Sequence, residues 1–163
     1  MNLTIRPITA ADYAALWRVL EPMIRAGETY TFPQDTTEAD AIAYWTGPDR
    51  DTFVAANDEG AIVGTYYIKA NQPGRGDHVC NCGYVTAPEA TGKGVARAMC
   101  AHSLEQAKAR GFRAMQFNFV IATNTRAVAL WHSLGFQTVG RLPGAYHHPD
   151  GRYVDALVMW REV

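Results

Sequence analysis

The spacing of apolar positions along the chain changes period several times, and each change predicts an element. Leu3 to Arg6 reads as a short strand that Pro7 ends. Thr9-Ala10-Ala11-Asp12 has the form of a capping box, and Tyr13, Leu16, Trp17 and Leu20 follow at helical spacing. A helix is therefore expected through Leu20. Pro22 should break or kink it, leaving a second short helical piece to about Ala26. Gly27 to Pro33 is an irregular segment carrying aromatic residues. Thr36-Thr37-Glu38 then caps a helix to about Trp45, stopped by Gly47-Pro48.

From there the period falls to two. Thr52 to Asn57 and Ala61 to Lys69 read as paired strands, joined at Asp58-Glu59-Gly60, where glycine supplies a positive φ. A loop from Asn71 to Asp77 leads to a strand from His78 to Thr86. Ala96, Met99, Cys100, Ser103, Leu104 and Ala107 recur at steps of three and four, giving a helix to Ala109 that Gly111 caps. A strand begins at Phe112 or Arg113 and runs through Val120, and a helix extends from about Thr125 to Gly135. Phe136 to Leu142 and Val154 to Trp160 are the last strands, with a loop from Gly144 to Arg152 between them. The order β-α-α-β-β-β-α-β-α-β-β implies an α/β fold, a mixed sheet of about seven strands with helices on both faces. Residues 1–163 suit a single domain.

Composition narrows the partners. A net charge of −1 leaves no electrostatic footprint for nucleic acid or an anionic membrane. No apolar run reaches the roughly 20 residues of a membrane span, and the N-terminus lacks a signal-peptide core, so a cytoplasmic protein is expected. Cys80, Cys82 and Cys100 have neither disulfide nor zinc spacing and read as small buried residues. No metal site is expected.

The chemistry concentrates between Val85 and Arg97. A strand ends near Pro88, a turn bearing Gly92 and Gly94 follows, and a helix opens. Glycines leave no Cβ between backbone and ligand, and a helix start offers unpaired N–H groups at its positive dipole end. Thr91, Gly92, Lys93, Gly94, Val95, Ala96 and Arg97 thus form a candidate cradle for an anion such as a diphosphate, although a purely structural turn has the same pattern. A Walker A loop is excluded because Val95 and Ala96 follow Gly94 where Lys and Ser/Thr are required. A dinucleotide fingerprint is disfavoured because Arg97 occupies the third small position.

A second stretch, Asn124-Thr125-Arg126-Ala127-Val128-Ala129-Leu130-Trp131 with Gly135-Phe136, joins the first in a pattern. Together with the element order, the two resemble the GNAT N-acetyltransferase superfamily across nearly the whole chain. The resemblance implies acetyl-CoA as co-substrate. Its diphosphate would lie on the amides of Thr91 to Arg97 and its pantetheine along Tyr84, Val85 and Thr86, with Asn124 and Trp131 beside it. A homodimer is a further implication. Thr91 departs from the usual Arg or Gln, and Trp131 stands where many members carry a tyrosine proton donor. An indole N–H cannot protonate a thiolate.

Gly74-Arg75-Gly76-Asp77-His78-Val79-Cys80-Asn81-Cys82-Gly83-Tyr84-Val85 and Phe117-Asn118-Phe119-Val120 are similar to the proline-analogue (azetidine-2-carboxylate) acetyltransferases. That similarity implies active-site roles for Asn81, Asn118 and Asn124. Glu28 to Phe32 resembles the phosphinothricin branch, which makes Glu28, Tyr30 and Phe32 candidate substrate contacts, with His78 a further one. Asn118 is expected to accept a hydrogen bond from the attacking amine and Asn81 to hold a substrate carboxylate or a water. A backbone N–H at Tyr84 or Val85 should stabilise the oxyanion. On a regular strand Phe117 and Phe119 point away from Asn118 and should pack under a helix. The expected activity is acetyl transfer to a small amine, an amino acid or a toxic analogue. Acetylation of a protein N-terminus or lysine, or a module that binds acyl-CoA without turnover, are the alternatives.

Overall fold

The computed structural model describes residues 2–163. Its seven strands are β1 (Thr4–Pro7), β2 (Arg50–Ala56), β3 (Ile62–Ala70), β4 (Val79–Thr86), β5 (Ala114–Ile121), β6 (Gln137–His147) and β7 (Tyr153–Glu162). They form one sheet in the order β1-β2-β3-β4-β5-β7-β6. Every pairing is antiparallel except β4 with β5. The helices are α1 (Tyr13–Ala26), α2 (Glu38–Trp45), α3 (Val95–Ala109) and α4 (Thr125–Ser133). Element order, strand number and mixed sheet agree with the α/β expectation. No helix among the described residues is long and apolar enough to cross a membrane.

Adjacent residues of β3 show how the two faces are covered. Thr65 points to α2, where its hydroxyl accepts from the Trp45 indole at 2.9 Å. Gly64 points to α3, and a Cβ there would lie 2.8 Å from Val95 and 3.0 Å from Met99. Absence of a side chain lets α3 close onto the sheet, and α3 begins at the candidate cradle. On the same face the Tyr84 hydroxyl meets Ser103 of α3 at 2.7 Å, and its ring lies 5.1 Å from Trp131 of α4.

Three local expectations need correction. Pro22 does not break its helix: α1 runs through it to Ala26 and ends on Gly27 in the left-handed region, φ 64°. One proline removes a single helical hydrogen bond, and the buried stripe Leu16, Val19, Leu20 and Ile24 holds the helix on both sides of the gap. The segment from Gly144 to Arg152 is not wholly a loop, since β6 continues to His147 despite Pro143 and Gly144. It is the outer strand of the sheet, where a missing donor costs no ladder bond, and its register shifts between Leu142 and Tyr146 absorb the irregularity. Phe117 packs under α4, stacked on Phe136 at 4.3 Å, but Phe119 does not. A register shift between Phe117 and Val120 turns Phe119 toward Tyr146 in a small separate cluster.

Asp12 ties β1 to the start of the first helix. Its two carboxylate oxygens accept from the Arg6 guanidinium at 2.8 Å each, and one also accepts from the Thr9 N–H at 2.8 Å. The Arg6 guanidinium foremost, with the Thr9 N–H, holds the carboxyl well below the usual carboxylate range. A depressed folded-state pKa adds stability above the unfolded value of about 3.9, and that stability fades as pH falls toward the folded value. Asp12→Asn is therefore expected to cost about 1–2 kcal/mol at pH 7. Urea denaturation at pH 7 and pH 3 checks this, with the gap to wild type narrower at the lower pH.

Candidate active site

β4 and β5 pair in parallel only at Val79 with Ala114 and Cys80 with Met115. Beyond that the strands separate, and the Asn81 side chain spans the start of the gap, donating to the Gln116 carbonyl at 2.9 Å. The gap opens into a cleft of about 620 Å³, within the range of sites that take small ligands. Its walls come from β4, β5, the start of α4 and the segment after α1. Glu28, Tyr30, Asn81, Tyr84, Val85 and Thr86 line it, as do Thr91, Asn118, Asn124 and Trp131.

Two candidate substrate contacts fall outside the cleft. His78 sits at the far end of β4 and borders a separate depression with Arg113 and Glu162. β4 is 8 residues long, so its ends lie roughly 23 Å apart, and a side chain at its start cannot reach the cradle end. Phe32 packs edge-on against Tyr44, 4.9 Å between centroids, and supports the wall from behind.

At the cradle, Gly92 and Gly94 are left-handed, φ 81° and 83°. The amides of Thr91 and Lys93 are spent on turns, donating to Pro88 and Ala90 at 3.2 and 3.3 Å. Those of Gly92, Gly94, Val95, Ala96 and Arg97 donate to no acceptor among the described residues. A Cβ on Gly94 would meet nothing within 4 Å. The concavity is open and rimmed by donors at a helix start, as a diphosphate requires. Thr91 supplies no charge, its hydroxyl turning back toward the Ala87 carbonyl at 3.4 Å. Arg126, in the first turn of α4, brings a guanidinium nitrogen to 2.7 Å from where a Gly92 Cβ would lie. Arg97 instead donates to Ser133 at 2.8 Å.

Three asparagines, Asn81, Asn118 and Asn124, line the cleft. Asn118 Oδ1 accepts from Gln116 at 2.9 Å and its Nδ2 donates to Asn71 at 2.6 Å. A carbonyl oxygen has two lone pairs, so Asn118 keeps one for a substrate N–H. Asn81 uses one of its N–H bonds on Gln116, which leaves its carbonyl oxygen available. Asn124 caps α4 through Oδ1, accepting from the Ala127 N–H at 3.3 Å. Cys82 also lines the cleft, but burial pushes its thiol far above the usual value, so it is not a nucleophilic thiolate. Of the lining residues, Glu28 is the one with an acidic or basic side chain.

Tyr30 alters the expectation for the Tyr84 amide. Its hydroxyl accepts from Tyr84 N–H at 2.8 Å and donates to Tyr84 C=O at 3.1 Å. The main chain proposed to meet the thioester is thus already engaged by a side chain. Tyr67 was not expected at the site. Its ring lies against Gly83, where a Cβ would sit 2.7 Å from the ring, and this brings it to the cleft wall. An isolated glycine inside a strand was the available signal.

The Acetyltransferase (GNAT) family matches residues 17–136. The chain belongs to this family. An N-acetyltransferase, aca1, from Schizosaccharomyces pombe is 36% identical over 116 residues, 69% of this chain and 55% of that protein. The chain thus spans little more than half of that relative's length. A solved GCN5-related N-acetyltransferase from Kribbella flavida is 40% identical, with a TM-score of 0.93 over 99% of this chain and 98% of that one. A phosphinothricin acetyltransferase from Sinorhizobium meliloti, solved with acetyl-CoA, shares the fold at 24% identity, TM-score 0.88, over 100% of this chain and 89% of that one. The family's reaction class is acyl transfer and its co-substrate is acetyl-CoA. The donor-rimmed cradle and the gap between β4 and β5 fit that molecule.

Proposed function

We propose that this GNAT member transfers acetyl from acetyl-CoA to the amine of a small molecule that also bears a carboxylate, an amino acid or a toxic analogue of the azetidine-2-carboxylate kind. The observation that carries the reading is the pair of asparagines Asn81 and Asn118 lining a largely apolar cleft, each oriented by hydrogen bonds, Asn81 to the Gln116 carbonyl and Asn118 to the side chains of Gln116 and Asn71. Neutral amides present acceptors to an incoming N–H and spare donors to a carboxylate. In this reading the coenzyme diphosphate rests on the free amides of Gly92 and Gly94 to Arg97, and the pantetheine follows β4 toward Asn81.

An asparagine does not take a proton at neutral pH, so the amine arrives deprotonated. Asn118 aims its lone pair, while Glu28 at the cleft draws the cationic form from solvent. Holding amine and thioester together supplies much of the acceleration. The similarity of the Asn81 and Asn118 stretches to the proline-analogue enzymes supports this acceptor.

A thiol-release assay with acetyl-CoA across amines tests it. Azetidine-2-carboxylate and other small amino acids are expected to release thiol, and lysine peptides are not. Release with peptides alone would move the activity to proteins. Coenzyme binding without release for any amine would make the chain a binding module.

A further inference from the structure

We infer that the Tyr30 hydroxyl, standing in front of the Tyr84 N–H, is the group that donates a hydrogen bond to the thioester carbonyl oxygen. The inference rests on the reading that the acetyl end of the co-substrate lies between β4 and β5. There the Tyr84 main chain is covered on both of its polar groups by one phenol oxygen, at 2.8 and 3.1 Å. A carbonyl entering the gap meets that oxygen before it meets the amide behind it.

The rearrangement needed is small. A hydroxyl has one hydrogen and can accept as well as donate. Tyr84 N–H keeps donating to the Tyr30 oxygen, while the phenol hydrogen rotates from the Tyr84 carbonyl to the thioester oxygen. No heavy atom of the protein moves. The bond from Tyr84 polarises the phenol and strengthens its donation.

The surroundings hold this donor in place. The Tyr30 ring packs edge-on against Trp45 at 5.8 Å, and the Tyr146 hydroxyl pins the segment by donating to the carbonyls of Gly27 and Tyr30. Burial pushes the phenol far above its usual value, so it stays an O–H donor throughout the physiological range. The Tyr84 hydroxyl does not replace it, being bound to Ser103 on the other face of the sheet.

In the step, the amine lone pair forms the C–N bond and the carbonyl π pair moves to oxygen, where Tyr30 stabilises it. That pair returns as the C–S bond breaks, sulfur leaves with the bonding electrons, and the nitrogen proton passes to solvent. Tyr30 loses no proton.

Tyr30→Phe keeps the ring and removes the donor. Turnover should fall about a hundred- to a thousandfold, the loss seen for one such donor, with coenzyme affinity by titration within about twofold of wild type. The slow hydrolysis of acetyl-CoA without an amine should fall in parallel. The infrared stretch of a ¹³C-labelled acetyl carbonyl, bound to the protein, should lie higher in Tyr30→Phe than in wild type. Unchanged turnover and an unchanged stretch would overturn the assignment. Faster turnover with tighter coenzyme binding would overturn it too, making Tyr30 a latch that binding must displace. Hydrolysis and infrared need no acceptor, so failure of the small-amine reading in the assay above shows up separately.

Discussion

Gly94→Ala should lower the affinity for coenzyme A by about ten- to a hundredfold, because a methyl projecting into the open cradle holds the diphosphate off an amide, at the worth of one charge-assisted hydrogen bond, and should leave the fold intact. Two effects of the substitution must be separated. Gly94 sits at φ 83°, so any side chain strains the backbone, at about 1–2 kcal/mol. Its Cβ would project into space empty to 4 Å, so the strain is not compounded by a clash.

Gly60 isolates the strain. It has φ 79° and equally open surroundings, but it lies in the turn between β2 and β3, away from the cleft. Gly60→Ala and Gly94→Ala should therefore shift the urea midpoint alike, while titration with coenzyme A should weaken for Gly94→Ala alone. Equal affinity in both variants would mean that the diphosphate does not rest on the amides of Gly94 to Arg97.

What could be read from the chain follows the range of the interactions involved. The candidate cradle is a local pattern whose parts are consecutive, two glycines and a helix start within seven residues, Thr91 to Arg97; that the Thr91 and Lys93 amides are spent on turns was not visible in it. Strands and helices were legible where apolar period and turn residues agreed. They were misread at Pro22 and across Pro143-Gly144, where local breakers are overruled by a buried helix face and by an edge position. His78 and Asn81 were both candidate substrate contacts on one predicted strand, and the point where β4 leaves β5 puts only Asn81 at the cleft. The long-range contacts on which the proposals rest were not legible at all. Tyr30 meets Tyr84 across 54 positions and Asn71 meets Asn118 across 47, distances over which no periodicity reports. The match of Tyr67 to Gly83 exists only once β3 and β4 are in register.

Asn118→Ala is expected to lower kcat by about a hundredfold, the scale on which misplaced reactants lose rate, with the KM for acetyl-CoA within about twofold. The split follows from position. Asn118 is on β5 at the cleft floor, whereas the cradle is built on the turn before α3. An amide that only stabilised the strand would change both parameters, or thermal stability instead. Asn71 sharpens the test because it touches Asn118 through one bond of 2.6 Å, accepting from Nδ2. That bond and the one from Gln116 fix which way the Asn118 carbonyl faces. Asn71→Ala frees the amide to turn and should cost about tenfold in kcat, a loss of about 1.4 kcal/mol in positioning. Asn71→Asp keeps an acceptor and should restore most of it. If Asn71→Asp is as slow as Asn71→Ala while Asn118→Ala is slow as well, the orientation of Asn118 is set by Gln116 alone.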